Sequence, residues 1–399
     1  MKKIFRFLAI ALVAATSLVA CQEDEGLQSD SQPVVKYIRS TDPTLADVYL
    51  TEASMGEMLA IIGEGLEGVC AIRFNDVDAK LNPTMITDNS IIVQVPSTLP
   101  TEITNTITLT TYKGKKCVVE NFVCLAPAPI VTSISCEWAK PGDEVTIYGN
   151  YFFNKADGSL IDITIGGVVA ELIDVTPTAI VAVVPDIDTS AKQRVLAIND
   201  NGTGRSSFYL YDSADVFMDF DNLSWDWWGY SGDNIASDNG ISGDYMLMSA
   251  TSKAWNWDDK NLAAYFCNLN EDGSVSRELI DADAAIEDYV LKFEIRKDAW
   301  SDLDMAMWFT DQYNTFSIDG TEAQCHWSGF KAGLPDGEWT TVTIPLTEFN
   351  TSKEENETRK LSASQMKNFC IFFFGSLEND ANSGAPLQIA IDNFRVVHK

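Results

Sequence analysis

The chain has 399 residues, 58 of them acidic and 28 basic, and a formal net charge of −30. Such a charge repels phosphate backbones, anionic headgroups and uronate-rich polymers, so nucleic acid is excluded as a partner and a neutral ligand is favoured. The length allows two to three domains, and only two His residues, His326 and His398, are present, which leaves no His-based triad and no His-rich metal site.

Residues 1–20 read as a targeting segment. Lys2, Lys3 and Arg6 form a positive start, and an apolar run too short to span a bilayer follows. It ends in Leu18-Val19-Ala20-Cys21, which resembles a bacterial lipobox. The resemblance implies lipidation of Cys21 and attachment to the membrane through that lipid alone. Loss of the three positive charges Lys2, Lys3 and Arg6 takes the net charge from −30 to −33. Gln22-Glu23-Asp24-Glu25 opens an acidic linker over residues 21–32 and resembles the export signal of surface lipoproteins of the Bacteroidota. The expected location is the cell surface, on the outer membrane. Beyond Cys21 there are seven Cys and no C-x-x-C pair, so most are expected to be buried thiols and none a metal ligand.

An internal repeat follows. Gly56-Glu57-Met58-Leu59-Ala60-Ile61-Ile62-Gly63 matches Gly142-Asp143-Glu144-Val145-Thr146-Ile147-Tyr148-Gly149. Each copy continues into a short alternating run and then into an apolar strand ending in Val-Pro, at Val95-Pro96 and Val184-Pro185. Strands at this spacing, punctuated by Gly and Pro, predict small β-sandwiches. The pattern resembles the IPT/TIG immunoglobulin-like domain, over residues 33–126 and 127–212, with Leu66 in place of the usual Phe in the first copy. The resemblance implies two spacer domains, joined through the stiff Ala126-Pro127-Ala128-Pro129.

Residues 213–399 differ in composition, because nine of the ten Trp lie there. Period-two alternation predicts strands with core faces of Leu291, Phe293 and Ile295, of Met305, Met307 and Phe309, and of Val342, Ile344 and Leu346. Phe369 to Phe374 is apolar throughout and predicts a central strand. Trp308 falls on the face opposite Met307, where it either binds or is covered.

Five Trp lie among Asp, Asn, Gly and Ser in residues 224–257: Trp225, Trp227, Trp228, Trp255 and Trp257. Trp in a polar, turn-forming context suits a surface whose flat faces bind and whose N–H groups find partners. Sugars present apolar C–H faces to stack and hydroxyls to hydrogen-bond, so these five are the candidate platform. Asp226, Tyr230, Asn256 and Asp258 are the candidate hydrogen-bonding rim, and Trp300, Trp308 and Trp327 are further candidates. The plainer alternative packs the five Trp into a loop-rich core corner. A glycosidase needs two carboxylates about 5–10 Å apart, yet no stretch singles out a pair, so no catalytic residue is assigned. Asp219 or Asp221 could meet Asp392 around a calcium ion, but no compact loop of oxygen ligands exists, and no metal or cofactor is assigned.

Phe217-Met218-Asp219-Phe220-Asp221, Gly240-Ile241-Ser242-Gly243-Asp244-Tyr245, the run from Gly337 to Leu346 and Ile391-Asp392-Asn393-Phe394-Arg395 resemble the C-terminal domain of surface glycan-binding protein B, of Sus-like polysaccharide-utilisation systems. The resemblance implies an all-β chain, two IPT/TIG-like sandwiches followed by a jelly-roll-like β-sandwich over residues 213–399. It also implies non-catalytic capture of a neutral polysaccharide, a β-glucan or a hemicellulose such as xyloglucan, beside a glycan-import complex. A surface adhesin that binds another protein, and a glycoside hydrolase, are the alternatives.

Overall fold

The computed structural model describes residues 31–100, 102–155, 157–221, 234–251, 263–299, 303–313, 322–327, 333–351, 359–375 and 386–399, and folds them into strands joined by turns and short 3-10 segments. The chain forms two compact units, Met1–Pro127 and Ala128–Lys399.

The first unit holds β1 (Val34–Ser40), β2 (Met58–Glu64), β3 (Val69–Phe74), β4 (Ser90–Gln94), β5 (Thr106–Thr111) and β6 (Lys116–Glu120). One sheet runs β1-β2-β4, and the facing sheet carries β3-β5-β6. The second unit begins with β7 (Ile130–Ile134), β8 (Glu144–Asn150), β9 (Asp162–Ile165), β10 (Glu171–Val175), β11 (Ala179–Val183), β12 (Val195–Asn199) and β13 (Gly202–Arg205). These form sheets β7-β8-β11-β10 and β9-β12-β13.

The repeated residues do the same job in both sandwiches. Gly56 and Gly142 turn the chain with φ of 84° and 95°, a region that favours glycine. Their N–H groups donate to the carbonyls of Val95 and Val184, each at 2.9 Å. The Pro after each Val has no N–H to place, so the strand can end there. At Gly63 and Gly149 the neighbouring strand comes very close. A Cβ there would lie 2.0 Å from the Val34 carbonyl oxygen and 1.9 Å from that of Ile130. Leu66 fills the first core, fully buried, where Phe152 fills the second.

The rest of the second unit contributes β14 (Val216–Met218), β15 (Tyr245–Thr251), β16 (Ala263–Phe266), β17 (Tyr289–Ala299), β18 (Leu303–Thr310), β19 (Gln324–Trp327), β20 (Trp339–Pro345), β21 (Asn368–Gly375) and β22 (Pro386–His398). One sheet runs β15-β22-β17-β20, with β14 also on β22; the other runs β16-β21-β18-β19. Leu291, Phe293, Met305, Met307, Val342 and Ile344 meet between the sheets, so the period-two reading of these strands holds. Strand β21 lies between β16 and β18, with Phe369, Cys370 and Ile371 fully buried.

One strand breaks its own alternation. In β22, Ile389 and Ile391 face the core, and so do Phe394 and Val396, an interval of three between Ile391 and Phe394. Asn393 absorbs the odd residue at φ 54°, a value Asn tolerates better than most side chains. The register slips there, from Glu294↔Asp392 to Lys292↔Arg395. Without this bulge Arg395 would point into the apolar core.

Arg395 instead meets the preceding sandwich. Its Nη1 donates to Glu294 Oε2 at 2.8 Å, and its Nη2 to Glu294 Oε1 at 2.9 Å and to Glu137 Oε2 at 2.8 Å. Lys292 Nζ pairs with the other oxygen of Glu137. Thr341 Oγ1 accepts from the Glu137 N–H at 2.7 Å and donates to Glu294 at 2.9 Å, while the Thr341 N–H donates to the Ser135 carbonyl at 2.8 Å. Ile241 and Trp339 pack onto the core of the β7–β13 sandwich. Two carboxylates thus meet two cations across the seam. Burial pushes Glu294 above the ordinary carboxylate range against the pull of Arg395. Burial also opposes the charge of Arg395, but Glu294 and Glu137 reverse that and hold its guanidinium well above the usual range. The alternation of Lys292, Glu294 and Arg296 suggests a solvent face, yet Glu294 is fully buried because the neighbouring sandwich covers it.

Candidate functional site

Sheet β16-β21-β18-β19 has an outer face built by the same alternation that builds the core. Trp308 stands directly opposite Gln324 on β19 and Cys370 on β21. Tyr265, Ala306, Trp308, Cys370 and Phe372 form a second, small apolar cluster on this face. Trp308 is fully buried within it, so of the two alternatives left open for its ring the covered one holds. Alternation gives the side of the sheet on which a residue falls, not what covers that side.

The polar groups on this face divide into two kinds. Asn368 is satisfied. Its Oδ1 accepts from the N–H groups of Asn268 and Leu269 at 2.8 and 2.9 Å, and its Nδ2 donates to the Gln312 carbonyl at 3.1 Å. Trp308 Nε1, Gln324 Nε2 and Glu322 Oε2 are buried with no hydrogen-bond partner. The Gln324 oxygen is taken by His326 Nε2 at 2.9 Å, which leaves the amide N–H₂ over. Glu322 lies close enough to add its charge, after burial and beside Cys267, to the forces that push the Cys370 thiol well above its ordinary range. Unpartnered buried atoms also occur at Trp138, Thr164, Arg194 and Asn234. A buried polar group without a partner costs about 1–3 kcal/mol, so two on one sheet face, with Glu322 just before β19, call for an occupant.

Trp327 is half-buried and turns inward, its ring edge-on to Phe293 at 5.8 Å between centroids. It falls on the core side of β19 with Cys325. Trp225, Trp227, Trp228, Trp255, Trp257 and Trp300 lie outside the described residues, as do Asp226, Tyr230, Asn256, Asp258 and Cys21. By chain order, Trp255 and Trp257 belong to the connection from β15 to β16, and Trp300 to that from β17 to β18.

The seven cysteines Cys70, Cys117, Cys124, Cys136, Cys267, Cys325 and Cys370 are free thiols. Only Cys136, Cys325 and Cys370 are fully buried, fewer than their sequence context suggests. Asp221 and Asp392 do approach one another. Burial, reinforced by Glu294 and Asp221, pushes the Asp392 carboxyl up to about 9. Ser242 Oγ donates to Asp392 at 3.2 Å, and the Asp244 N–H donates to Asp221 at 2.6 Å. Among the described residues no three His, Cys, Asp or Glu side chains are placed to hold a metal ion. A crevice of about 1460 Å³ follows the seam between the sandwiches. Its floor is Glu137, Lys292 and Arg395, already paired with one another, so it presents no unmet charge there.

The sequence signals missed here were available only in part. Glu322 lies two residues before Gln324, the first residue of β19, and nothing local marks either as buried.

Residues 210–398 match the family model "Surface glycan-binding protein B xyloglucan binding domain", and residues 129–211 match the IPT/TIG domain. An IPT/TIG domain-containing protein of Bacteroides ovatus is 33% identical over 166 residues, 38% of this chain. The match spans 33% of that relative's length. Among solved structures, surface glycan-binding protein PbSGBP-B from Prevotella bryantii is similar over 93% of this chain and all of that one, at 26% identity and a TM-score of 0.64. The all-β architecture, with immunoglobulin-like sandwiches before a larger one, is shared with it.

Proposed function

Because residues 210–398 belong to the surface glycan-binding protein B xyloglucan-binding-domain family, we propose that this chain captures a neutral polysaccharide at the cell surface without cleaving it. The ligand is a β-glucan or a hemicellulose such as xyloglucan. The family match carries the reading, and the Trp-rich stretch at residues 224–257 supports it. The platform is drawn from Trp225, Trp227, Trp228, Trp255 and Trp257, with hydroxyl partners from Asp226, Tyr230, Asn256 and Asp258. Lipid on Cys21 anchors the chain to the outer membrane beside a glycan-import complex, and residues 33–126 and 127–212 act as spacers.

Each stacked sugar removes roughly 100 Å² from water, worth about 2–3 kcal/mol at about 25 cal/mol/Å². Ordering a flexible polymer offsets part of that. A single site is therefore weak, and many copies on one surface hold a long chain by multivalency. Affinity electrophoresis in soluble xyloglucan tests the reading. Wild type is retarded, nearly independently of salt because the ligand is neutral, and releases no reducing ends. Trp228→Ala or Trp257→Ala weakens retardation about tenfold or more in a chain that still melts like wild type. Absence of retardation in any neutral glucan, with capture of a protein instead, selects the adhesin reading.

A further inference from the structure

We propose that Trp308, Gln324 and Glu322 form a specificity pocket that takes a hydroxyl group of the bound glycan. The inference rests on the glycan reading above and adds to it the residues that read the sugar's polar edge.

The argument is one of complementarity. Trp308 Nε1 and Gln324 Nε2 can only donate, and Glu322 Oε2, as a carboxylate oxygen, accepts. An anion would suit the two donors and be repelled by Glu322. A cation would suit Glu322 and be repelled by the two N–H groups. A hydroxyl meets both demands, since its lone pairs accept from an N–H while its own proton goes to the carboxylate. Trp308 and Gln324 are cross-strand partners, which puts their side chains side by side. Glu322 is two residues from Gln324, and its charge reaches Cys370, the other cross-strand partner of Trp308. Tyr265 and Phe372 supply apolar surface on the same face. A polyol is the ligand class that presents hydroxyls next to apolar C–H, and a site built to hydrogen-bond a hydroxyl rejects analogues that lack it.

The free protein bears the cost of leaving these groups unpaired, which gives the proposal a signature that a structural cluster would not share. Trp308→Phe and Glu322→Gln should bind soluble xyloglucan at least tenfold more weakly by calorimetry on the full chain. The melting temperature of Glu322→Gln without glycan should stay close to that of wild type, because the shape is kept while an unmet buried charge is removed. Hydrogen exchange on wild type should slow at residues 305–310 and 322–327 when xyloglucan is added. If wild type binds while both variants bind within twofold of it, the pocket holds water alone and the proposal is overturned. Should the variants fail to fold, unchanged exchange in those two segments of glycan-bound wild type overturns it equally. If wild type binds neither xyloglucan nor a mixed-linkage β-glucan, the functional reading fails first and this inference falls with it.

Discussion

Two buried polar clusters lie in the same unit and obey opposite rules. At the seam, Glu137, Glu294, Lys292, Arg395 and Thr341 satisfy one another with 2.7–2.9 Å bonds wherever Arg395 or Thr341 takes part. At the outer face of sheet β16-β21-β18-β19, Trp308, Gln324 and Glu322 leave three atoms unmet. Desolvation penalises both clusters alike. Only the seam recovers the loss internally, so it reads as architecture. The outer face keeps its deficit, as a surface awaiting a partner would.

The comparison can be broken at the seam first. Arg395→Ala leaves Glu294 buried without a cation and Glu137 with Lys292 alone, and unfolding in urea should show a loss of about 3–5 kcal/mol. If the loss is below 1 kcal/mol, the seam is not the fastening it looks like. Thr341→Val removes one hydroxyl that serves both Glu137 and Glu294, and about 1–3 kcal/mol should go in the same assay.

A titration sharpens the contrast next. Asp392 is raised from an ordinary Asp value to about 9, so the folded state holds a proton that the unfolded chain releases near pH 4. The stability this supplies is complete below about pH 4 and declines as pH rises toward 9. Melting temperature should therefore fall more between pH 5 and 9 in wild type than in Asp392→Asn. Equal slopes would place the Asp392 carboxyl in water. The smallest effect is expected on the outer face. Glu322→Gln keeps the shape and changes stability by less than about 1 kcal/mol, the mirror image of Arg395→Ala.

How much of this was legible in the sequence depended on range. The Gly and Val-Pro repeat is local, and each of its residues meets a demand set within one sandwich, so it could be read directly. The core faces of β17, β18 and β20 follow from alternation alone. The bulge at Asn393 was readable too, because Ile389, Ile391, Phe394 and Val396 cannot share a face without an extra residue between them. The seam was not. Glu137 sits in Ser135-Cys136-Glu137-Trp138, an unremarkable turn by composition, and its partners lie 155 and 258 positions away. The second sandwich is consequently fastened to the domain that follows it. Alternation placed Trp308 on the right face and left its exposure open, since covering is a tertiary event.

The position of β22 has a kinetic consequence. It fills the middle of its sheet, between β15 and β17, yet it is made after both. Until it arrives, the inner edges of those strands stand open, and unpaired apolar edges are templates for aggregation. Closing loops as long as that between Val216 and Arg395 makes folding slow. The unit thus passes through a window in which most of it has been synthesised and β17 can pair only with β20, so its larger sheet cannot be completed, and a helper that shields open strand edges would act there.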